Sequence, residues 1–500
     1  MTTPDPVPAG MLSRLRAALF PPPNHENTDN PLGSAFALTV LGVFVQGLSR
    51  FGYSVLVGRL MGQEALGEVN VVISLAMFLI LLWPQATGSA ASKFVAMARG
   101  RQDRDGQAAV AAFTARSAAA GAGLLGASAV LLGAFLLGLS WAHALSAGLL
   151  VLAMSGYYFA RGVRTGNNQF VTSTLWDALS SFVTLTLLVL VLLGGWHWAL
   201  LLPLATGYLC FALPSWPRGP AGRPDPALRR EILVFTGWGS AHLVAASGLM
   251  QLSVIIGKTV DTDAALGLYS AAVSLATPAS MLSSAMLIAL SPSVARMFAA
   301  GDTAGLTRQV DTILRTMVTV FLPVFGVGIL WAEPVLLVVF GREFVGAEHL
   351  LVILFFAVSA TSFNAANSRL NGTESWGIKV LAAANGTGLV LGLTTMLVLG
   401  PRLGITAAAL GYLVGSVCSA ALPLLVVWRL DRMPWGGVVL RIVLGYAMVL
   451  GGLQVLGEQF RLLPTTGVTL AFLAVWGLLN ARDLRPVLRT AAGRLPGRRS

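Results

Sequence analysis

Apolar residues in this chain are grouped into long runs, which short polar stretches separate. A helix that crosses a bilayer needs about 20 mostly apolar residues. Fourteen runs meet this requirement, so the pattern predicts an all-α polytopic membrane protein. The predicted spans are 34–58, 68–92, 108–138, 144–163, 169–193, 196–214, 233–256, 265–290, 312–332, 346–368, 377–399, 404–428, 437–456 and 463–480.

The composition excludes several other classes of protein. Of the 500 residues, 55% are hydrophobic and only 11% are charged, whereas about a quarter of the residues of a soluble protein are charged. A soluble enzyme, a disordered chain and a disulfide-stapled secreted domain do not fit these values. We find no catalytic motif and no Cys/His cluster with the spacing of metal ligands. The sequence therefore predicts a protein that is not an enzyme and has no metal or organic cofactor.

The basic residues predict the orientation in the membrane. With the N-terminus inside, the inner and outer loops carry 27 and 5 of the 33 Lys and Arg residues. Cytoplasmic loops are enriched in these two residues, so both termini are expected in the cytoplasm. The net charge of +12 then belongs to inner loops and a basic tail that contacts membrane lipids. No soluble basic domain remains that could bind nucleic acid.

An internal repeat of about 200 residues indicates two related lobes. The run Ala-Leu-Gly at 65–67 recurs at 265–267, and Gly-Tyr-Leu at 207–209 recurs at 411–413. Each copy holds six spans, an even number, so both copies enter the membrane in the same direction and form parallel repeats. Two such lobes around a central cavity are the architecture of alternating access.

This repeat predicts the following organisation. The segments are a cytoplasmic tail (1–32), an N-lobe with spans 1 to 6 (33–215), a cytoplasmic interlobe linker (216–229), a C-lobe with spans 7 to 12 (230–430), spans 13 and 14 (431–480) and a basic cytoplasmic tail (481–500).

Arg50 is the most informative polar residue within a span. It lies eight residues before Gly58 in the first span, about 12 Å below the outer surface. A charged side chain at this depth is costly and faces a cavity or a partner. Gln46 and Ser54 lie one turn on either side and extend a polar stripe. We expect Arg50 to bind a phosphate group of a substrate; the alternative is a structural ion pair with a carboxylate.

Asp177 is the second such residue. Thr174, Asp177, Ser181 and Thr184 share one face of the fifth span. Asp177 is a candidate to bind a coupling proton or Na⁺, with Thr174 and Ser181 beside it. The other interpretations are an ion pair with a basic group and an interfacial residue that caps a neighbour.

The second lobe supplies mainly neutral polar groups. Asn364 and Asn367 lie in the tenth span, and Asn385 in the eleventh. Each alone is typical of a hydrogen bond between helices, but together with Arg50 they predict a polar, substrate-binding lumen.

Several segments resemble a known family. The run Leu48–Ala76, which includes Gly58, Arg59, Gly62 and Gly67, is similar to the opening of the polysaccharide-exporter branch of the multidrug/oligosaccharidyl-lipid/polysaccharide (MOP) flippase superfamily. The runs Leu266–Phe298 and Leu403–Gly415 resemble the eighth and twelfth helices of the same family.

The resemblance implies a fold and a function. It implies two six-helix lobes in a V around a central cavity, and two extra C-terminal helices. It implies a flippase for lipid-linked oligosaccharide, a polyprenyl-pyrophosphate sugar, across a bacterial inner membrane during polysaccharide biosynthesis. Coupling to Na⁺ or H⁺ is compatible with this transport. The expected protein is a monomer that works alongside a polysaccharide polymerase or glycosyltransferases.

Other functions are weighed against this one. A cation-gradient-coupled multidrug exporter of the same superfamily needs an acidic lumen, which Asp177 permits but Arg50 disfavours. A lipid II flippase needs several lumen arginines, and the sequence has one clear case. A major facilitator transporter needs a loop motif that the run Ala98–Gln107 lacks. A membrane glycosyltransferase needs a long outer loop, which the predicted topology does not provide.

Overall fold

The computed structural model describes residues 32–218, 222–299, 303–363, 365–371, 375–457 and 460–483. The tail 1–31, the tail 484–500, the middle of the predicted linker and Asn364 lie outside them. Within this part, the chain forms helices without strands. The α-helices are α1 (Leu32–Leu82), α2 (Pro84–Gly100), α3 (Arg104–Leu131), α4 (Trp141–Gly166), α5 (Phe170–Leu193), α6 (Leu202–Ser215), α7 (Pro226–Val260), α8 (Asp263–Ala299), α9 (Thr303–Leu330), α10 (Ala332–Val339), α11 (Glu348–Ser362), α12 (Ala366–Asn371), α13 (Ser375–Leu403), α14 (Ile405–Leu430), α15 (Gly436–Leu456) and α16 (Leu462–Leu479).

Thirteen segments of the described chain are long and apolar enough to cross a membrane. The first of them, Val40–Leu82, has 43 residues, enough for two spans at about 20 residues each. It is broken at Gly62, whose φ of 85° and ψ of −173° are not helical. Glycine adopts this positive φ without steric cost, so the chain turns back between the first and second predicted spans. The expected fourteen spans and the all-α membrane fold are thereby confirmed.

The helices form two compact units. The first unit consists of the residues up to Tyr53 together with Val72–Val244, and the second consists of Ser54–Val71 together with the residues from Ala245 onward. Both α1 and α7 thus contribute a segment to each unit. These units are defined by packing, and the lobe boundaries drawn from the repeat stay a prediction.

The first unit has an apolar core at one end of its helices. Phe94 of α2 and Phe159 of α4 are almost fully buried there, with Val110 of α3 and Ile232 of α7 against them. Phe94 and Phe235 meet edge to face with ring centroids 5.7 Å apart. This core fixes the ends of α2, α4 and α7, and so holds α4 in place for the polar residues described below.

The second unit includes the last two helices, which pack on α9. The indole N–H of Trp476 donates to the Thr319 carbonyl oxygen at 3.1 Å. Trp331, at the end of α9, donates to Thr469 Oγ1 of α16 at 2.9 Å. Gly445 of α15 lies close against side chains of Leu322 and Trp476. Spans 13 and 14 are therefore fastened to this unit by both apolar and polar contacts.

Two glycines of the internal repeat meet within the second unit. A Cβ atom on Gly67 would lie 2.6 Å from the Asp263 carbonyl oxygen and 3.0 Å from the Gly267 nitrogen. A Cβ atom on Gly267 would lie still closer to the Gln63 carbonyl oxygen. The start of the second span and the start of α8 therefore cross with their main chains in contact. The equivalent glycines of the two copies form this crossing.

Arg59 is bound to main chain in the same unit. Its Nε donates to the Val339 carbonyl oxygen at 2.6 Å, and a second guanidinium nitrogen donates to that of Val338. These carbonyls are at the end of α10, where the last carbonyl groups of a helix lack internal partners. Gln63 donates likewise to the Glu343 carbonyl oxygen. The Gly-Arg motif thus caps a helix that is 280 residues away in the sequence.

Candidate functional site

The first polar face in the first unit belongs to α1. Gly42, Gln46 and Arg50 follow one another at intervals of four residues and therefore lie on the same side of this helix. Gln46 Nε2 donates to Ser180 Oγ of α5 at 2.8 Å. Ser180 in turn donates to the Asp177 carbonyl oxygen at 3.0 Å. The stripe predicted around Arg50 thus faces the stripe predicted around Asp177.

Arg50 is half-buried and has no ion pair among the described residues. Its contact there is with Met77 Sδ, at 3.6 Å from a guanidinium nitrogen. A sulfur atom is a weak acceptor and leaves the positive charge uncompensated. The alternative in which a carboxylate pairs with Arg50 therefore has no partner in the described part of the chain.

Asp177 is fully buried in a cluster of polar groups. Its Oδ1 accepts from the Tyr157 hydroxyl at 2.8 Å, and its Oδ2 lies 3.3 Å from a guanidinium nitrogen of Arg161. Both partners are on α4. A Cβ atom on Gly42 would lie 2.5 Å from Asp177 Oδ2 and 3.2 Å from Arg161. Glycine at this position of α1 is what leaves room for the ion pair.

Tyrosine rings connect this cluster with Arg50. The ring of Tyr157 packs on that of Tyr208 of α6, with centroids 5.1 Å apart, and on Phe211 at 4.8 Å. The Tyr208 hydroxyl is within electrostatic range of both the Arg50 guanidinium and the Asp177 carboxylate. Arg50, Arg161 and Asp177 thus lie beside one group of packed aromatic side chains in the first unit.

The remaining predicted residues occupy different places. Thr174 donates to the Leu38 carbonyl oxygen of α1 at 2.8 Å, so its hydroxyl ties α5 to α1. Ser181 is buried, and its hydroxyl has no hydrogen-bond partner in the described chain. Ser54 is also buried but is grouped with the second unit.

The predicted amides are in the second unit. Asn367 lies on α12, and its Oδ1 is buried without a hydrogen-bond partner in the part that the structure describes. Asn385 is half-buried on α13. Asn364 falls outside the described residues. Among the described residues, no group of three or more His, Cys, Asp or Glu side chains could hold a metal ion.

Sequence reasoning missed four members of the cluster, namely Arg161, Tyr157, Tyr208 and Gly42. Arg161 was counted with the basic residues of an inner loop, because it lies near the end of a span. The signal that could have found it is its position inside the predicted span 144–163. In the structure its side chain is only 21% exposed. Gly42 was detectable as the next position of the stripe that contains Gln46 and Arg50.

Comparison with protein families gives one match. Residues 144–349 match a family described as polysaccharide biosynthesis protein. This segment contains Arg161 and Asp177. A comparison with curated proteins gives no match.

Several solved structures share the fold. A lipid II flippase MurJ in an inward closed conformation aligns with a TM-score of 0.69 and 13% identity, over 90% of this chain and 99% of that one. An inward-facing multidrug resistance MATE family transporter of the MOP superfamily gives 0.55 and 14%, over 87% and 99%. A Vibrio cholerae MATE transporter gives 0.54 and 17%, over 80% and 96%. These matches show that the chain shares the fold of a flippase and of transporters, one of which is described as a member of the MOP superfamily that the sequence resembles.

Proposed function

We propose that this protein flips a lipid-linked oligosaccharide from the cytoplasmic to the outer leaflet of a bacterial inner membrane. The cargo is a polyprenyl-pyrophosphate sugar that is used in the synthesis of a cell-surface polysaccharide. Transport proceeds by alternating access between the two six-helix lobes. The family match to a polysaccharide biosynthesis protein and the fold shared with a lipid II flippase support this proposal.

The observation that carries it is Arg50. An arginine within a membrane span, without a described carboxylate partner, retains its positive charge for a ligand. Arginine binds phosphate in a bidentate manner, and a pyrophosphate group is the charged part of such a lipid. Gln46 and Ser54 on α1 would complete the site, and Asn364, Asn367 and Asn385 would contact the sugar.

Native mass spectrometry of the detergent-extracted protein tests the proposal. Wild type is compared with Arg50→Ala and with Arg116→Ala, a control at an exposed arginine of α3. We expect a polyprenyl-pyrophosphate glycolipid on wild type and on the control, and none on Arg50→Ala. Arg50→Ala should also abolish export in cells although it folds and inserts. Normal export by a well-expressed Arg50→Ala variant would exclude the anion-site role.

Asp177 is proposed as the group that responds to a coupling ion. It is a buried carboxylate with Thr174 and Ser181 on the same helix face, and H⁺ or Na⁺ would neutralise its charge. Asp177→Asn should weaken the dependence of export on a proton or Na⁺ gradient. An unchanged gradient dependence would remove Asp177 from the mechanism.

A cation-gradient-coupled multidrug exporter is the second candidate function, and the buried Asp177 is the observation that favours it. Arg50, which has no ion pair among the described residues, repels cations and so disfavours a cationic drug as the substrate. Dye efflux from vesicles under a Na⁺ or proton gradient separates the two functions. If the bound glycolipid proves to be lipid II, the same mass spectrum assigns the protein to peptidoglycan precursor transport instead.

A further inference from the structure

Two Arg–Asp pairs of this chain differ in their bonding. Arg369 and Asp431 form a two-point fork, with Nε to Oδ2 at 2.9 Å and a second nitrogen to Oδ1 at 3.2 Å. Arg161 and Asp177 approach at one point only, at 3.3 Å. Asp177 Oδ2 has no partner there that satisfies hydrogen-bond geometry within the described residues. Arg369 thus binds both oxygens of its carboxylate, whereas Arg161 approaches only one oxygen of Asp177.

Arg161 therefore has donors that remain available. A guanidinium carries five N–H groups, and the ion pair with Asp177 uses one nitrogen. The side chain of Arg161 is 21% exposed, whereas that of Asp177 is 0% exposed. The carboxylate is fully buried, whereas part of the Arg161 side chain is exposed. A ligand can reach Arg161 without first reaching Asp177.

Arg161 and Arg50 border the same cluster. The Cβ position of Gly42 is 3.2 Å from the Arg161 guanidinium, and Arg50 lies two turns further along the same face of α1, about 12 Å away. The Arg50 guanidinium contacts Met77 Sδ, and side chains on a helix generally lean toward its N-terminus, which for Arg50 is the direction of Gly42. The Tyr208 hydroxyl interacts electrostatically with both Arg50 and Asp177. The two arginines are thus placed for neighbouring anionic groups.

We infer that Arg161 is a second phosphate-binding residue, whose guanidinium Asp177 occupies while no substrate is bound. This inference rests on the proposed function, in which Arg50 holds the adjoining phosphoryl group of a diphosphate. The arriving phosphate displaces Asp177 from Arg161. Asp177 keeps the hydrogen bond from Tyr157, and its freed negative charge becomes the one that the coupling ion neutralises. Substrate binding and ion binding are thereby linked through one exchangeable ion pair.

Binding of inorganic pyrophosphate to the full chain in detergent tests the exchange. Removal of a competing carboxylate should strengthen anion binding, so Asp177→Asn is expected to raise the affinity about tenfold. Arg161→Gln is expected to lower it about tenfold. Asp177→Asn should bring no gain in the Arg161→Gln background, because the guanidinium for which Asp177 competes is already absent. Arg116→Gln removes an exposed positive charge from α3 and should leave the affinity unchanged.

A milder variant keeps the test informative if Asp177→Asn folds poorly. Tyr157→Phe removes only the hydroxyl that stays with Asp177 after the exchange. The freed carboxylate then has no partner, so the pyrophosphate affinity should fall by a smaller factor. The inference is overturned if Asp177→Asn does not raise the affinity and Tyr157→Phe does not lower it, or if no variant binds pyrophosphate. Neither result touches the proposed function, which stands or falls with the glycolipid on wild type and its loss in Arg50→Ala.

Discussion

The Arg161–Asp177 pair of the first unit and the Arg369–Asp431 pair of the second use the same two residue types for different ends. The second pair makes two short hydrogen bonds and joins the end of α14 to α12. The first makes one longer contact around a fully buried carboxylate, with a tyrosine hydroxyl as its other partner. A saturated pair stabilises a structure, whereas an unsaturated one keeps binding capacity that a ligand can use.

The largest expected effect is on the free energy of unfolding when the arginine of each pair is replaced. Arg369→Gln leaves Asp431 without its fork and should lower the free energy of unfolding by about 3 kcal/mol. Arg161→Gln should cost about half as much, because Arg161 makes one longer contact where Arg369 makes two, and Asp177 keeps the hydrogen bond from Tyr157. Denaturant unfolding in detergent gives both values. A greater loss of unfolding free energy in Arg161→Gln than in Arg369→Gln would contradict the comparison. Loss of pyrophosphate binding in Arg369→Gln would contradict it as well.

The second effect concerns contact between main chains. Gly267→Ala places a methyl group against the Gln63 carbonyl, which cannot move without its helix. Overpacking destabilises by about 1–3 kcal/mol, and the higher helix propensity of alanine offsets up to about 1 kcal/mol of this. We expect a net loss of about 2 kcal/mol in the free energy of unfolding. Gly386→Ala on α13 is the matched control, because no atom lies within 4 Å of its Cβ position; equal stability of the two variants would contradict the crossing.

Hydroxyl deletions compare a charged acceptor with a neutral one. Tyr157→Phe removes a hydrogen bond to the Asp177 carboxylate, and Tyr269→Phe removes one to Ser253 Oγ at 2.8 Å in the second unit. Hydrogen bonds to charged groups contribute about 1.5–3 kcal/mol and neutral ones about 1 kcal/mol. The first variant should therefore lose about 1.5 kcal/mol and the second somewhat less. Thermal unfolding of both proteins provides the measurement, and the opposite order would show that Asp177 is uncharged.

The smallest expected effect is on α1. Gly42→Ala presses on the Asp177 carboxylate, but this side chain can shift, so the net loss should be about 1 kcal/mol. Gly123→Ala on α3 meets nothing within 4 Å and should be neutral or slightly stabilising. The same unfolding assay compares them. If Gly42→Ala and Gly123→Ala had the same free energy of unfolding, the Arg161–Asp177 ion pair would not be confined by α1.

The membrane spans could be predicted from the sequence because lipid imposes a simple rule. Backbone groups in the bilayer must bond within their own helix, so each span is a continuous apolar run. The break at Gly62 agrees with the predicted boundary between the first two spans. The partners of Asp177 could not be predicted in this way, because helical periodicity gives the face of a residue but not the helix that it meets.

Residue chemistry was also ambiguous near the ends of spans. Arg161 at the end of α4 has the pattern of a loop arginine at the inner surface, yet the bundle buries most of its side chain. Arg59 belongs to a recognised motif, but its acceptors on α10 are 280 residues away. In both cases the decisive information is the packing of distant helices, which neither hydropathy nor charge bias contains.

The crossing of Gly67 and Gly267 has a consequence for how this protein can change over generations. The contact uses main-chain atoms, so the side chains around it are free to vary without altering it. The two glycines depend on each other. A side chain at either position would separate the two main chains, and glycine at the other position would then no longer be needed for the contact. Sequence change at positions 67 and 267 is therefore limited by the main-chain contact itself, whereas the neighbouring side chains are under no such limit.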